Sequence, residues 1–236
     1  MKKIVWSMFF CMMALLPAQE IYATFHVEAQ KSANLAFSSS GIVESVAVET
    51  GSAVKQGDIL SVLQNDDLKA MAEGAKVALR YAQLDYERQL KVKKIIDQSQ
   101  FDQYAFKYEN AKVQLEYQKS LLDKTILRAP FDGVIFEKSL EKGDVVSGAM
   151  IRTVLKIQSA HERKLIVEFD QKYHAVVKAG DVFRYKLDGD ENAYEGKISK
   201  IYPTANAQNR KVTAEVEAKD FMVGLFGEGT IVAQDR

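Results

Sequence analysis

Apolar residues along this chain change their spacing three times, and each change predicts a different element. In residues 41–63 the β-formers Ile42, Val43, Val46 and Val48 are followed by Gly51 and Gly57 at hairpin distances, which predicts short antiparallel strands. From Leu68 the step lengthens to four and three. Leu68, Ala72, Ala75, Leu79, Ala82 and Tyr86 form the apolar seam of a helix, with Gln89, Lys93 and Ile96 continuing it less cleanly. Phe101, Tyr104, Tyr108, Ala111, Leu115, Gln118 and Leu122 repeat the rhythm on a return leg, so residues 65–124 are expected to form an antiparallel helical hairpin. Its turn is expected near Asp97, Gln98 and Ser99, where Asp97 or Ser99 can accept the free amide hydrogens that open the second helix. At about 1.5 Å per residue, each leg reaches on the order of 40 Å. Small residues in the seam make the pair self-sufficient, which favours a projecting arm over an internal hairpin.

Pro130 ends the second leg, because proline cannot continue helical hydrogen bonding. Strand spacing then returns as a copy. Gly41, Glu49, Gly51 and Val54 recur as Gly133, Glu141, Gly143 and Val146, each pair 92 positions apart (133 − 41, 146 − 54). The copies close on Gly57 and Gly148, each followed by an apolar run, and two such units most simply fold onto each other as one domain of residues 24–64 and 125–158. Residues 25–37 read as one or two strands leading into the first copy. Farther on, Leu165, Val167 and Phe169, then residues 194–203, then Val212, Ala214, Val216 and Ala218 alternate with polar neighbours. Residues 159–236 are therefore expected to form a small β-barrel of five or six strands, with a short helical plug over residues 171–178 stopped at Gly180. The fold class is mixed α and β, elongated and multi-domain.

Composition narrows the function. The 236 residues, 47% hydrophobic and 27% charged, suit two or three globular modules rather than disorder. Thirty-two basic and 32 acidic residues sum to zero, which leaves no overall footprint for nucleic acid and no polybasic surface for anionic lipid. Lys2 and Lys3, an apolar run over residues 4–16, Pro17 and small Ala23 read as a cleaved secretory signal of residues 1–23, hence export to the periplasm. The run is short for a membrane span, the alternative being a retained anchor. Cys11 lies inside it behind Phe10, a poor lipid-attachment site, and its removal leaves no thiol in the mature chain.

Candidate chemistry is sparse. His26, His161 and His174 have no carboxylate or thiol partners at metal or triad spacing, and Met71, Met150 and Met222 form no soft-metal cluster. Asp188, Asp190 and Asn192 begin like a calcium loop, but Ala193 and Ser199 replace its glycine and bidentate glutamate, so they are expected in an acidic hairpin turn. Phosphate-cradling and nucleophile-elbow motifs are missing from the sequence. The expectation is a protein that is no enzyme and holds no cofactor.

A duplicated strand unit split by a helical hairpin and followed by a barrel resembles the periplasmic adaptors of tripartite efflux pumps, the membrane fusion proteins of the HlyD and RND-adaptor family. The residues that carry the resemblance are Gly41, Gly51 and Gly57, the string Arg128-Ala-Pro130-Phe-Asp-Gly133, Glu141 with Gly143, and Gly196 to Pro203 followed by Arg210. It implies a split lipoyl-like domain, a hairpin reaching towards an outer-membrane channel, a barrel placed towards an inner-membrane transporter, and self-association into a ring, trimer or hexamer. The RND type of transporter is expected, with the ABC type as the alternative. Family hairpin tips often carry an arginine, a leucine and a serine that contact the channel; here the matching positions are Tyr86, Leu90 and Asp97, with Arg88 nearby. Leu90, Asp97 and Ser99 are thus the candidate partner-binding residues. Many relatives continue into a membrane-proximal domain, whereas this sequence resembles a compact adaptor lacking it.

Two other readings compete. A lipoate or biotin carrier needs a lysine on the tight turn between the copies, but about 60 helical residues stand there. The aligned residues Gln64, Asn65, Asp66 and Asp67 contain no lysine, and Lys69 falls inside the first helix. A periplasmic scaffold or binding protein unconnected to transport is the remaining rival.

Overall fold

The computed structural model describes residues 19–219 and 221–233, so most of the signal-like N-terminal segment, Cys11 included, lies outside the described residues. Two units divide the chain, residues 31–160 and a unit that joins the N-terminal residues to residues 161–236.

The first unit holds the repeat. Its strands are β2 (Ser32–Leu35), β3 (Gly41–Val46), β4 (Ala53–Val54), β5 (Ile59–Leu63), β6 (Ile126–Arg128), β7 (Gly133–Lys138), β8 (Val145–Val146) and β9 (Leu155–Gln158). They make two four-stranded sheets, β2-β9-β7-β4 and β6-β5-β3-β8, and each sheet draws on both copies. Gly41 pairs with Val146 and Gly133 with Val54, which is one pairing read twice across the 92-residue offset. The loops repeat the exchange: the Gly51 amide donates to the Ile135 carbonyl at 2.7 Å, and the Gly143 amide to the Val43 carbonyl at 2.9 Å. Each copy's turn is held alike. The Glu49 amide donates to Ser52 Oγ and the Glu141 amide to Asp144 Oδ2, both at 2.9 Å. Lys138, its side chain only 10% exposed, ties the two turns together through Glu49 at 3.0 Å and Glu141 at 2.6 Å. Between the sheets Leu60, Leu63, Ile135, Leu140, Leu155 and Ile157 are buried, each contributing roughly 1.5–3 kcal/mol relative to exposure.

Gly51, Gly57 and Gly143 occupy the left-handed region, with φ of 93°, 89° and 95°. Gly133 does not. A Cβ there would run into the Gln158 carbonyl oxygen, so close approach of β9 is what demands glycine.

Between β5 and β6 the chain leaves as α1 (Asp66–Lys91) and returns as α2 (Gln98–Asp123). The connection spans residues 92–97, slightly earlier than the spacing suggested.

The second unit is a closed six-stranded barrel in the order β1-β10-β13-β12-β11-β14, made of β1 (Gln19–Ala29), β10 (Glu162–Asp170), β11 (Val182–Leu187), β12 (Tyr194–Ile201), β13 (Lys211–Lys219) and β14 (Phe226–Ala233). Closure leaves no free edge among these strands. The sequence assigned residues from 24 onwards to the repeat domain; β1 belongs to the barrel instead. Its alternation buries Ile21, Ala23, Phe25, Val27 and Ala29, a pattern any half-buried sheet would accept, and pairing with β10 and β14 decides which. Ala23 is 1% exposed in mid-strand. Processing after Ala23 would strip Gln19 to Ala23 from their ladder with β14. The expected plug is a single 3-10 turn, Gln171–Tyr173, followed by turns from which Val177 enters the barrel core. Asp190 does lie in a turn, where it accepts from the Asn192 amide at 2.9 Å and the Tyr194 hydroxyl at 2.8 Å. Gly196 gives β13 room, because a Cβ there would meet Val216.

Candidate partner-binding site

The hairpin is built from its root. β5 pairs with β6 through Val62 and Ile126, and the Leu63 amide donates to the Thr125 carbonyl at 2.9 Å, so the two helices start side by side. Asn65 and Thr125, 1% and 2% exposed, join at 2.9 Å through Asn65 Nδ2 and Thr125 Oγ1, and the Thr125 hydroxyl donates to the Leu122 carbonyl at 2.6 Å. Arg128 donates to the Gly57 carbonyl at 3.0 Å, tying the exit strand to the first copy's turn.

Above the root, the seam follows the four-and-three spacing. Leu68, Ala72, Ala75, Leu79, Ala82 and Tyr86 on α1 are the less exposed positions, as are Phe101, Tyr104, Tyr108, Ala111, Leu115 and Gln118 on α2. Tyr86 stacks on Tyr108 with ring centroids 5.3 Å apart and lies 5.6 Å from Phe101. Lys93 caps this cluster, its Nζ 4.5 Å over the Phe101 ring. Tyr86 is therefore a packing residue of the seam. One flaw interrupts the packing: Gln118 Oε1 is buried without a hydrogen-bond partner among the described residues.

At the tip the three candidate residues play different parts. Asp97 caps α2, accepting from the Ser99 amide at 2.8 Å and the Gln100 amide at 3.4 Å. The backbone hydrogen bond from Ser99 holds its carboxyl below the usual carboxylate range. Ser99 borders a shallow depression with Asp102, Gln103, Phe106 and Lys107. Leu90 is 47% exposed and free of the seam. The spacing missed the two largest exposed apolar groups here, Ile95 at 84% and Phe106 at 71%, because neither falls on the seam register. Down the arm, Val77, Tyr81 and Leu84 on α1 and Val113 and Tyr117 on α2 form outward apolar positions at heptad-like intervals.

The groups weighed for chemistry are dispersed. His26 Nε2 lies 3.2 Å from Glu28, and His174 Nδ1 lies 3.0 Å from the Gln171 carbonyl. No group of three histidine, cysteine or acidic side chains among the described residues is placed to hold a metal ion. Lys69 sits in the first turn of α1, 3.3 Å from Asp66. No described helix is long and apolar enough to cross a membrane.

Comparison with known proteins places this geometry. Residues 31–156 match the family model described as CzcB-like, barrel-sandwich hybrid domain. Over 204 residues the chain is 26% identical to the cobalt-zinc-cadmium resistance protein CzcB of Cupriavidus metallidurans, a match covering 79% of this chain and 39% of that protein. The chain thus spans about two fifths of the curated relative. Among solved structures it is similar in fold to a MacA-MexA chimera carrying the Pseudomonas aeruginosa MexA α-hairpin, with a TM-score of 0.82, 20% identity and coverage of 93% and 82% of the two chains. It is also similar to the membrane fusion protein Spr0693 of Streptococcus pneumoniae R6, with a TM-score of 0.73, 15% identity and coverage of 91% and 100%.

Proposed function

The chain belongs to the family of CzcB-like barrel-sandwich hybrid domains, and on that premise we propose that it is a membrane fusion protein, a non-catalytic periplasmic adaptor of an efflux system. In this reading it links an inner-membrane exporter of the RND type to an outer-membrane channel for the efflux of small molecules. The observation that carries the proposal is the anchoring of the hairpin: both halves of the repeat clamp its root, while its tip presents Leu90, Ile95 and Phe106 to solvent. A carrier domain would show a short, exposed turn at that place; here it is an arm. The outward positions Val77, Tyr81, Val113 and Tyr117 supply apolar surface for neighbouring copies, consistent with a ring.

The test is cross-linking in cells from Ser99 at the tip and from Lys197 on the barrel. A channel captured from Ser99 together with a many-span exporter from Lys197 is the expected result. Capture of neither, in cells where an export phenotype depends on this protein, sinks the adaptor reading. Leu90→Glu should abolish that phenotype without lowering the melting temperature, because few side chains pack on an exposed tip residue. Asp97 is a poorer probe, since its carboxylate caps α2 and its loss perturbs the hairpin itself.

A further inference from the structure

We propose that the barrel rim around Arg210 is a binding site for the phosphate group of an anionic ligand. Among the described residues Arg210 is the only non-glycine with positive φ, at 56°. A long L side chain in that region is disfavoured, and such a conformation persists only where the surroundings over-determine it.

Here they do. The Asn206 amide donates to the Lys211 carbonyl at 2.9 Å, and the Arg210 amide to the Asn206 carbonyl at 2.8 Å. Asn206 and Asn209 turn their side chains back on the Gln208 and Lys211 amides, at 2.9 and 3.1 Å. The Gln171 amide then donates to the Arg210 carbonyl at 3.0 Å, joining this turn to the one that bears Lys172.

All of these bonds use the backbone of residue 210 or its neighbours, and none uses its guanidinium. Glycine or asparagine would satisfy the same turn with less strain. The Arg210 side chain is exposed and forms no hydrogen bond or ion pair with any described residue.

It borders a groove whose other charges are engaged. Lys211 Nζ is 3.3 Å from Glu168 and 3.3 Å from Thr24 Oγ1. Lys172 Nζ is 3.8 Å from Asp170 and 4.8 Å from the centre of the Tyr173 ring, while Asp170 Oδ1 accepts from the Lys172 amide. Three cations, Lys172, Arg210 and Lys211, thus face two carboxylates, Glu168 and Asp170, and the surplus charge is the guanidinium. Its planar fork matches two oxygens of a phosphate. The phosphate could belong to a free anion or to a phospholipid headgroup.

Titration separates the sources. Inorganic phosphate in one arm, and short-chain phosphatidylglycerol below its micelle concentration in the other, are added to the isotope-labelled full chain while backbone amide shifts are followed. Saturable shifts confined to residues 171–173 and 206–211 are expected in at least one arm. Response to phosphate identifies the free anion; response to the lipid alone identifies the headgroup. Arg210→Gly should weaken binding about tenfold or more, the loss expected for a charge-assisted pair, and should melt no lower than the parent. Absence of saturable shifts in both arms, binding undiminished in Arg210→Gly, or a lowered melting temperature that marks the arginine as structural would each overturn the assignment.

Discussion

Gly133 and Gly143 are both glycines of the second copy, yet different constraints hold them. Gly143 is required by its backbone: φ is 95° and no atom lies within 4 Å of where a Cβ would stand. Gly133 is required by its neighbour, the Gln158 carbonyl. Asparagine tolerates left-handed backbone but still carries a Cβ, so it separates the two cases. Gly143→Asn is expected to cost less than about 1 kcal/mol, whereas Gly133→Asn should cost roughly 1–3 kcal/mol by overpacking; urea unfolding measures both, and equal losses contradict the distinction. On the barrel, Glu215 accepts from the Tyr202 hydroxyl at 2.7 Å and from Lys164 at 3.2 Å. The Tyr202 hydrogen bond, helped by Lys164, lowers the Glu215 pKa, and the same bond raises that of Tyr202. A lowered carboxyl pKa gives stability that is present above the unfolded value and lost as pH falls through the folded one. A raised tyrosine pKa gives stability lost as pH rises past the ordinary phenol range. Glu215→Gln should therefore flatten both the acid and the alkaline decline in melting temperature; an unchanged profile would show the bond to be energetically silent.

At the scale of elements, the hairpin was the most legible part of the sequence, because a 3.6-residue period survives whatever packs on it. Every apolar seam position read from Leu68 to Tyr86 and from Phe101 to Leu115 lies on the less exposed face. Gln118 is the seam's defect, its Oε1 buried without a partner. Gln118→Leu should raise hairpin stability by about 1 kcal/mol, since an unsatisfied buried acceptor is replaced by packing surface. Thermal unfolding followed at 222 nm reads the change, and a lower midpoint would mean that the amide is satisfied in solution. The strands were less legible. Period-two alternation marks which residues of β1 are buried, but it is the same for every sheet, so the barrel's claim on Gln19–Ala29 was invisible until β10 and β14 were seen beside it. For the candidate site, Ser99 could be placed by the expected turn and Leu90 by the resemblance to the family's tip motif, while Ile95 and Phe106 could not, because exposure at a tip follows no period.

At the scale of the molecule, the repeat was read correctly as two interdependent copies, since the offset of 92 fixes which residues are equivalent. What no offset could reveal is the exchange of partners, with Gly41 on Val146 and Gly133 on Val54. That exchange also has a consequence in time. Neither copy can complete its sheets alone, so residues separated by most of the unit must meet before either is stable. Closing a loop of about 60 residues by diffusion costs roughly 3–4 kcal/mol of chain entropy beyond a constant. Helices joined by a short connection zip locally and far faster than distant strands pair. Once α1 and α2 have closed, Leu63 and Thr125 are already neighbours and the search is short. Leu115→Ala should then slow refolding of the strand module in stopped-flow experiments, even though Leu115 lies outside it; an effect on the unfolding rate alone would refute that order. The part of the chain that extends furthest from the sheets would be the part that assembles them, and a variant with a loosened seam would be made slowly before it worked poorly.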